Sequence, residues 1–207
     1  MQISVFKRIL TTYIIVGKTF KKWLSPILIG LFLIIIRIII SIFMMLDYIL
    51  VPSLWTKKIK NPIIIVGNPR SGTTFLQRFL VNNGFGSGTQ LWQMIYSSII
   101  LQKILKPILP FLEYISPAKH HSTDAHKTSL TSVETDDASM LFRFFDGFFL
   151  YGFLLSWSQK NLFDWVDPQK RDNTKRDFKW FESLWKRVLI SYKGKRIVAK
   201  LFSLSTT

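Results

Sequence analysis

The chain has 207 residues, no cysteine and a formal net charge of +16. Without cysteine there can be no disulfide, no thiolate nucleophile and no cysteine-ligated metal; the length predicts one domain plus an extra segment. So basic a balance points to nucleic acid or to an anionic membrane surface. Half of the excess lies in the first 60 residues, where nine Lys or Arg stand against a single acid, Asp47. These basic residues flank an apolar stretch and no nucleic-acid-binding signature is visible, so a membrane is the expected partner and nucleic acid is not.

Residues 1–56 read as a membrane-associated helical segment. Phe6, Ile9, Leu10, Tyr13, Ile14, Gly17 and Phe20 recur at helical spacing, with Lys7, Arg8, Thr11, Lys18 and Lys22 on other faces. That is the pattern of a basic helix lying among lipid headgroups. Ile27 to Leu46 is then apolar for twenty residues, enough to cross a hydrocarbon core, and is broken by Gly30, Arg37 and Ser41. Arg37 costs about 2.5–3.5 kcal/mol at such a depth, which the surrounding Ile, Leu and Phe outweigh. A secretory signal peptide fits poorly, because the run is too long and no small-residue cleavage site follows. The competing reading is that both helices cover the domain's own core. Spanning and interfacial placement stay open, and Lys57, Lys58 and Lys60 after the run nearly balance the charges before it.

A β-branched run, Ile63 to Val66, ends at Gly67. The loop Asn68-Pro69-Arg70-Ser71-Gly72-Thr73-Thr74 then leads into an amphipathic run with Phe75, Leu76, Phe79 and Leu80. Strand, tight polar loop and helix start together collect free backbone N–H groups and the positive helix end at one point, a site for a phosphate-like anion. Gly67 and Gly72 have the spacing of a Walker A loop, yet Thr73 stands where the lysine should be. A kinase or nucleoside triphosphatase is therefore the weaker reading. The cation sits inside the loop instead, at Arg70, whose guanidinium can fork onto two anionic oxygens.

Preceded by that strand, Pro69-Arg70-Ser71-Gly72-Thr73-Thr74 resembles the 5′-phosphosulfate loop of sulfotransferases that use 3′-phosphoadenosine 5′-phosphosulfate (PAPS). The resemblance extends over residues 60–207. It implies an α/β fold, a P-loop NTPase-like three-layer domain with a parallel sheet, and transfer of a sulfuryl group from PAPS to a hydroxyl or amine acceptor without a metal. By position, the N–H groups of Ser71, Gly72, Thr73 and Thr74 would hold the 5′-phosphate. Arg70 would stabilise charge on the leaving oxygen. The catalytic part would face the cytoplasm, and the acceptor could be a small molecule, a lipid or a carbohydrate.

Further along, Leu91 to Leu105 keeps helical spacing, closed by Pro107 and Pro110. Most of its apolar residues read as plain core. The stretch His126-Lys127-Thr128-Ser129-Leu130-Thr131-Ser132-Val133-Glu134-Thr135-Asp136-Asp137 is similar to an H-K-x-x-L-x-x-x-E-x-D-[DE] segment of a bacterial sulfotransferase subgroup. Sulfuryl transfer needs a base to take the acceptor's proton, a task suited to a histidine or to a carboxylate of raised pKa. His126 is the first candidate, with Glu134 and Asp136 behind it. The acids equally suit the start of the next helix, Ala138 to Leu150. The three histidines, His120, His121 and His126, lack metal-binding spacing, so no metal site is expected.

Phe178, Phe181, Leu184, Trp185 and Leu189 mark an amphipathic helix ended by Gly194, and Arg196 to Lys200 reads as a second short strand. Lys200, Phe202 and Ser203 are similar to the family's K-x-P-x-x-S-like turn, lacking its proline. The family's second cofactor motif, an arginine and a serine on the 3′-phosphate, lies beyond this point in its members. A domain truncated at its C-terminus, inactive and membrane-associated, is accordingly the alternative expectation.

Overall fold

Two short segments distant in sequence meet as a parallel pair: the β-branched β1 (Ile63–Val66) lies beside β2 (Val198–Leu201), with Ile63 opposite Val198 and Val66 opposite Leu201. The computed structural model describes residues 3–68, 71–117 and 128–202. Ahead of β1 come α1 (Val5–Phe20), α2 (Leu24–Leu50) and α3 (Ser53–Thr56). The crossover between the strands carries α4 (Thr73–Asn82), α5 (Leu91–Ile95), α6 (Ile99–Leu105), α7 (Leu109–Ile115), α8 (Ala138–Phe144), α9 (Phe148–Phe153) and α10 (Thr174–Ser191). The protein is thus a mixed, helix-rich structure with a two-stranded parallel sheet and one long apolar helix.

The two sheet edges differ. β2 is buried throughout and its outer edge is closed: the Val198 N–H donates to the Ser87 carbonyl (2.9 Å) and the Lys200 N–H to Asp136 Oδ2 (3.0 Å). β1 has no second neighbour among the described residues, and Ile64 and Val66 are exposed. In a parallel pair alternate residues bond to each neighbour, so these two turn their backbone groups outward.

The start and stop signals of the core helices fall elsewhere than the periodicity predicts. The stretch expected as one helix from Leu91 to Leu105 is two, α5 and α6, broken at Tyr96–Ser98. Ser98 Oγ accepts from the Leu101 N–H and caps α6. The expected Ala138–Leu150 helix stops at Phe144, because Phe145 (φ 51°) and Gly147 (φ 84°) take left-handed backbone conformations before α9 begins. The second strand runs to Leu201 rather than Lys200. In α10 the buried face is Trp180, Leu184, Arg187 and Val188, whereas Phe178 is exposed.

At 27 residues α2 is about 40 Å long, and by length and composition it can cross a bilayer. Its last turns also belong to the domain. Ile40 and Met44 pack with Leu101, Met140 and Trp180. One turn on, Asp47 is fully buried. It accepts from Ser98 Oγ (2.9 Å), the Ile99 and Ile100 N–H groups (3.0 Å each) and Arg187 Nε (2.9 Å). One carboxylate thus satisfies the start of α6, where orphan N–H groups need a partner, and neutralises a buried arginine.

α1 is docked as well. Arg8, expected on a solvated polar face, is buried and pairs with Asp146 (2.7 Å), which also binds Arg171 and Arg176. Burial alone would raise the Asp146 pKa; Arg171 and Arg8 overcome it and hold the carboxyl below its usual range. Ile15 packs with Leu150, Leu155 and Val166. The predicted apolar face of α1 looks outward, with Phe6, Ile9, Leu10, Ile14 and Phe20 exposed.

Removing Asp47 leaves Arg187 buried without a counter-charge, so Asp47→Ala should destabilise the protein by about 3–5 kcal/mol. Replacing both residues by leucine should recover part of that loss. Urea unfolding of the detergent-solubilised chain measures both, and an unchanged midpoint in Asp47→Ala would remove the anchoring role.

Candidate functional site

At the carboxyl end of β1 the chain turns sharply. Ser71 donates from its backbone N–H (3.3 Å) and from Oγ (2.6 Å) to the Asn68 carbonyl. Gly67 sits so close to the returning loop that a Cβ there would lie 2.8 Å from Thr73 Cγ2. Gly72 has φ 77°, a left-handed conformation that favours glycine, and forms the N-cap of α4. Among the described residues no side chain caps that helix start, where the positive end of the dipole and the first N–H groups of α4 lie. Ser71, Gly72, Thr73 and Thr74 therefore sit at the strand-to-helix turn expected of them. Pro69 and Arg70 lie outside the described residues, as do His120, His121, His126 and Ser203.

A cation reaches this turn from the neighbouring strand. Lys200, buried at the end of β2, donates from Nζ to Thr74 Oγ1 at 2.6 Å, and its ammonium stands 4.5 Å from the Phe202 ring centre. Burial lowers the Lys200 pKa; Glu134, Asp137 and Asp136 push back, while Arg78 adds to the lowering. The start of α4, the Thr74 hydroxyl and one partly desolvated ammonium thus come together at this turn.

The acidic stretch lies underneath it. Glu134 Oε1 pairs with Arg78 Nη2 at 2.6 Å, and Arg78 Nε donates to the Val133 carbonyl. Asp136 is fully buried. Its Oδ1 accepts from Thr89 Oγ1 (2.7 Å) and Trp185 Nε1 (2.9 Å), its Oδ2 from the Lys200 N–H, and its own N–H donates to the Lys200 carbonyl. Burial pushes its pKa up to about 6, against the hydrogen bonds from Thr89 and Trp185. Asp137 accepts from the Phe202 N–H and from Thr135 Oγ1. Neither aspartate side chain caps α8, the role proposed above for the acids: they clamp β2 and the residue that follows it.

Two members of this site had no role in the sequence reading. The sequence places Lys200 at the end of a short strand and in the turn after it without a role, and gives Arg78 none. The signal for Arg78 was present, since it stands four residues after Thr74 on one helix face. For Lys200 the signal was its place in that short strand, which puts its side chain at the strand's carboxyl end.

A groove of about 400 Å³ opens nearby, lined by Arg78, Gly88, Ser132 and Tyr192 among others, and it includes none of Ser71–Thr74. No protein-family model, no curated protein and no solved structure matches this chain.

Because the folded protein binds the Asp136 proton more tightly than the unfolded chain, stability should fall as pH rises from about 4 to about 6 and then level off. The share due to this group is about 3 kcal/mol. Asp136→Asn should lack that share, so the stability difference between the two proteins should change across this window in urea unfolding. A constant difference from pH 4 to 7 would show that Asp136 does not titrate there.

Proposed function

We propose that the chain is a PAPS-dependent sulfotransferase domain of P-loop-like α/β build, attached to a membrane through its helical front end with the catalytic part on the cytoplasmic side. The observation that carries this reading is the Lys200–Thr74 contact at the uncapped start of α4. It brings a buried cation to the same turn whose sequence resembles the 5′-phosphosulfate loop. A Walker lysine is missing there, and Lys200 supplies positive charge from the adjacent strand instead.

In the proposed reaction an acceptor oxygen or nitrogen attacks sulfur in line, and the bond from sulfur to the 5′-phosphate oxygen breaks. The electron pair stays on that oxygen, giving adenosine 3′,5′-bisphosphate. The N–H groups of Ser71–Thr74, the Thr73 and Thr74 hydroxyls, Arg70 and Lys200 offset the growing negative charge. The acceptor's proton goes to His126 or to Glu134, the carboxylate that Arg78 holds in place. The acceptor is a small molecule, a lipid or a carbohydrate bearing a hydroxyl or amine.

One observation favours a second reading, a membrane-associated remnant that does no chemistry: the groove beside Arg78 and Tyr192 includes none of Ser71–Thr74. The two readings differ in a direct assay. Incubation with ³⁵S-labelled PAPS and membrane or cell-extract acceptors should transfer label. Lys200→Met and Arg70→Ala should each lower transfer by about 10²–10³-fold, the size of losing one charge-stabilising donor, with the far-ultraviolet spectrum unchanged. Transfer by Lys200→Met at the parent rate would remove that lysine from the mechanism. Failure of the parent chain to bind immobilised adenosine 3′,5′-bisphosphate would favour the remnant.

A further inference from the structure

Helices α6 and α7 carry an apolar stripe that the domain does not cover. A short 3-10 turn, Lys106–Ile108, joins them into one helical path from Ile99 to Ile115, and Pro107 and Pro110 fall in first turns where a proline costs no hydrogen bond. Ile104 and Ile108 stand four residues apart on either side of that turn, and Phe111 and Ile115 stand four apart within α7, a spacing that puts each pair on one side of the path. All four are roughly half exposed, between 48% and 62%. Of the apolar residues from Leu91 to Leu105 that the sequence reads mostly as core, only Ile104 is exposed; Ile108, Phe111 and Ile115 lie beyond that run.

The other face belongs to the domain. Leu101 is buried with Ile40 and Met44 of α2, and Leu105 packs against the same cluster. Glu113, the one acid on the path, turns inward and accepts from the Leu130 and Thr131 N–H groups (3.2 and 3.3 Å). Lys103 and Lys106 are exposed. The outer surface is therefore apolar and basic with its acid engaged elsewhere, and it adjoins α2, whose own apolar surface is exposed along most of its length. That pattern matches a helix lying in a membrane interface.

We propose that the α6–α7 stripe rests in the headgroup region of an anionic bilayer, a second membrane contact beside α2 that fixes how the domain is tilted on the lipid surface. Phe111 and Ile115 sit at the acyl boundary, and Lys103, to the side of the stripe, meets lipid phosphate. This holds whatever reaction the domain performs.

The cysteine-free chain permits a direct test. Phe111→Cys carries an environment-sensitive fluorophore, and Phe178→Cys, on exposed α10, serves as the control. Each full-length protein is reconstituted into vesicles of phosphatidylcholine with phosphatidylglycerol. The Phe111 label should be quenched by a headgroup-proximal nitroxide lipid and shielded several-fold from aqueous iodide; the Phe178 label should behave oppositely. Adding Lys103→Glu, or omitting phosphatidylglycerol, should weaken the shielding. Equal iodide quenching at both positions would overturn the proposal. Shielding unaffected by omitting the anionic lipid would overturn its electrostatic part. Shielding in lipid-free detergent solution with doubled mass would assign the stripe to a second copy of the chain.

Discussion

A single buried carboxylate, that of Asp136, holds together the parts of the molecule on which the candidate site depends. It joins Thr89 from the turn before α5, Trp185 from α10 and the backbone of Lys200 in β2. A charged group fully removed from water is costly unless its lone pairs are taken up, and here they are. The gain is positional: the backbone of Lys200 is pinned, and its side chain reaches Thr74 at the start of α4. A site of this kind needs rigid support more than additional charge, and a hydrogen-bonded carboxylate under the strand end gives it.

The same device recurs at the other junctions. Asp47 and Asp146 are completely buried acids, each bound to arginine and to backbone N–H groups. In a chain with 28 basic and 12 acidic residues, six acids are buried, and the three that are completely so each join one element to another. Arginine suits them because its planar fork meets several acceptors in one orientation. Ion pairs of this sort add little net stability relative to apolar packing. They do select one arrangement, so α1 and α2 are coupled to the domain that follows them.

What was legible in the sequence follows a physical rule. Local signals were readable: the β-branched run Ile63–Val66, the glycines around the turn, and the start of α4 at Thr73 all depend on neighbours in the chain. Features set by distant partners were not. The break at Tyr96–Ser98 exists because Asp47, some fifty residues earlier, takes the N–H groups that begin α6. Arg8 looked like a headgroup-facing charge because nothing near it in sequence announces Asp146. The roles of Glu134, Asp136 and Asp137 could not be separated by position; burial and partners separate them, one ion-paired on α4 and two bracing β2. Lys200 was visible as a residue, but its meeting with Thr74 required knowing that β1 and β2 are adjacent and parallel.

The unequal edges of the small sheet have a consequence of their own. On one side every outward-pointing group of β2 is spoken for, by a turn or by a carboxylate, so nothing can add there. On the other, Ile64 and Val66 are exposed and no described strand answers their outward backbone groups. Left bare in water, such a rim is adhesive, and polypeptides in extended form will seek it out. Growth of the sheet is thus one-directional: a further strand can join only beside β1.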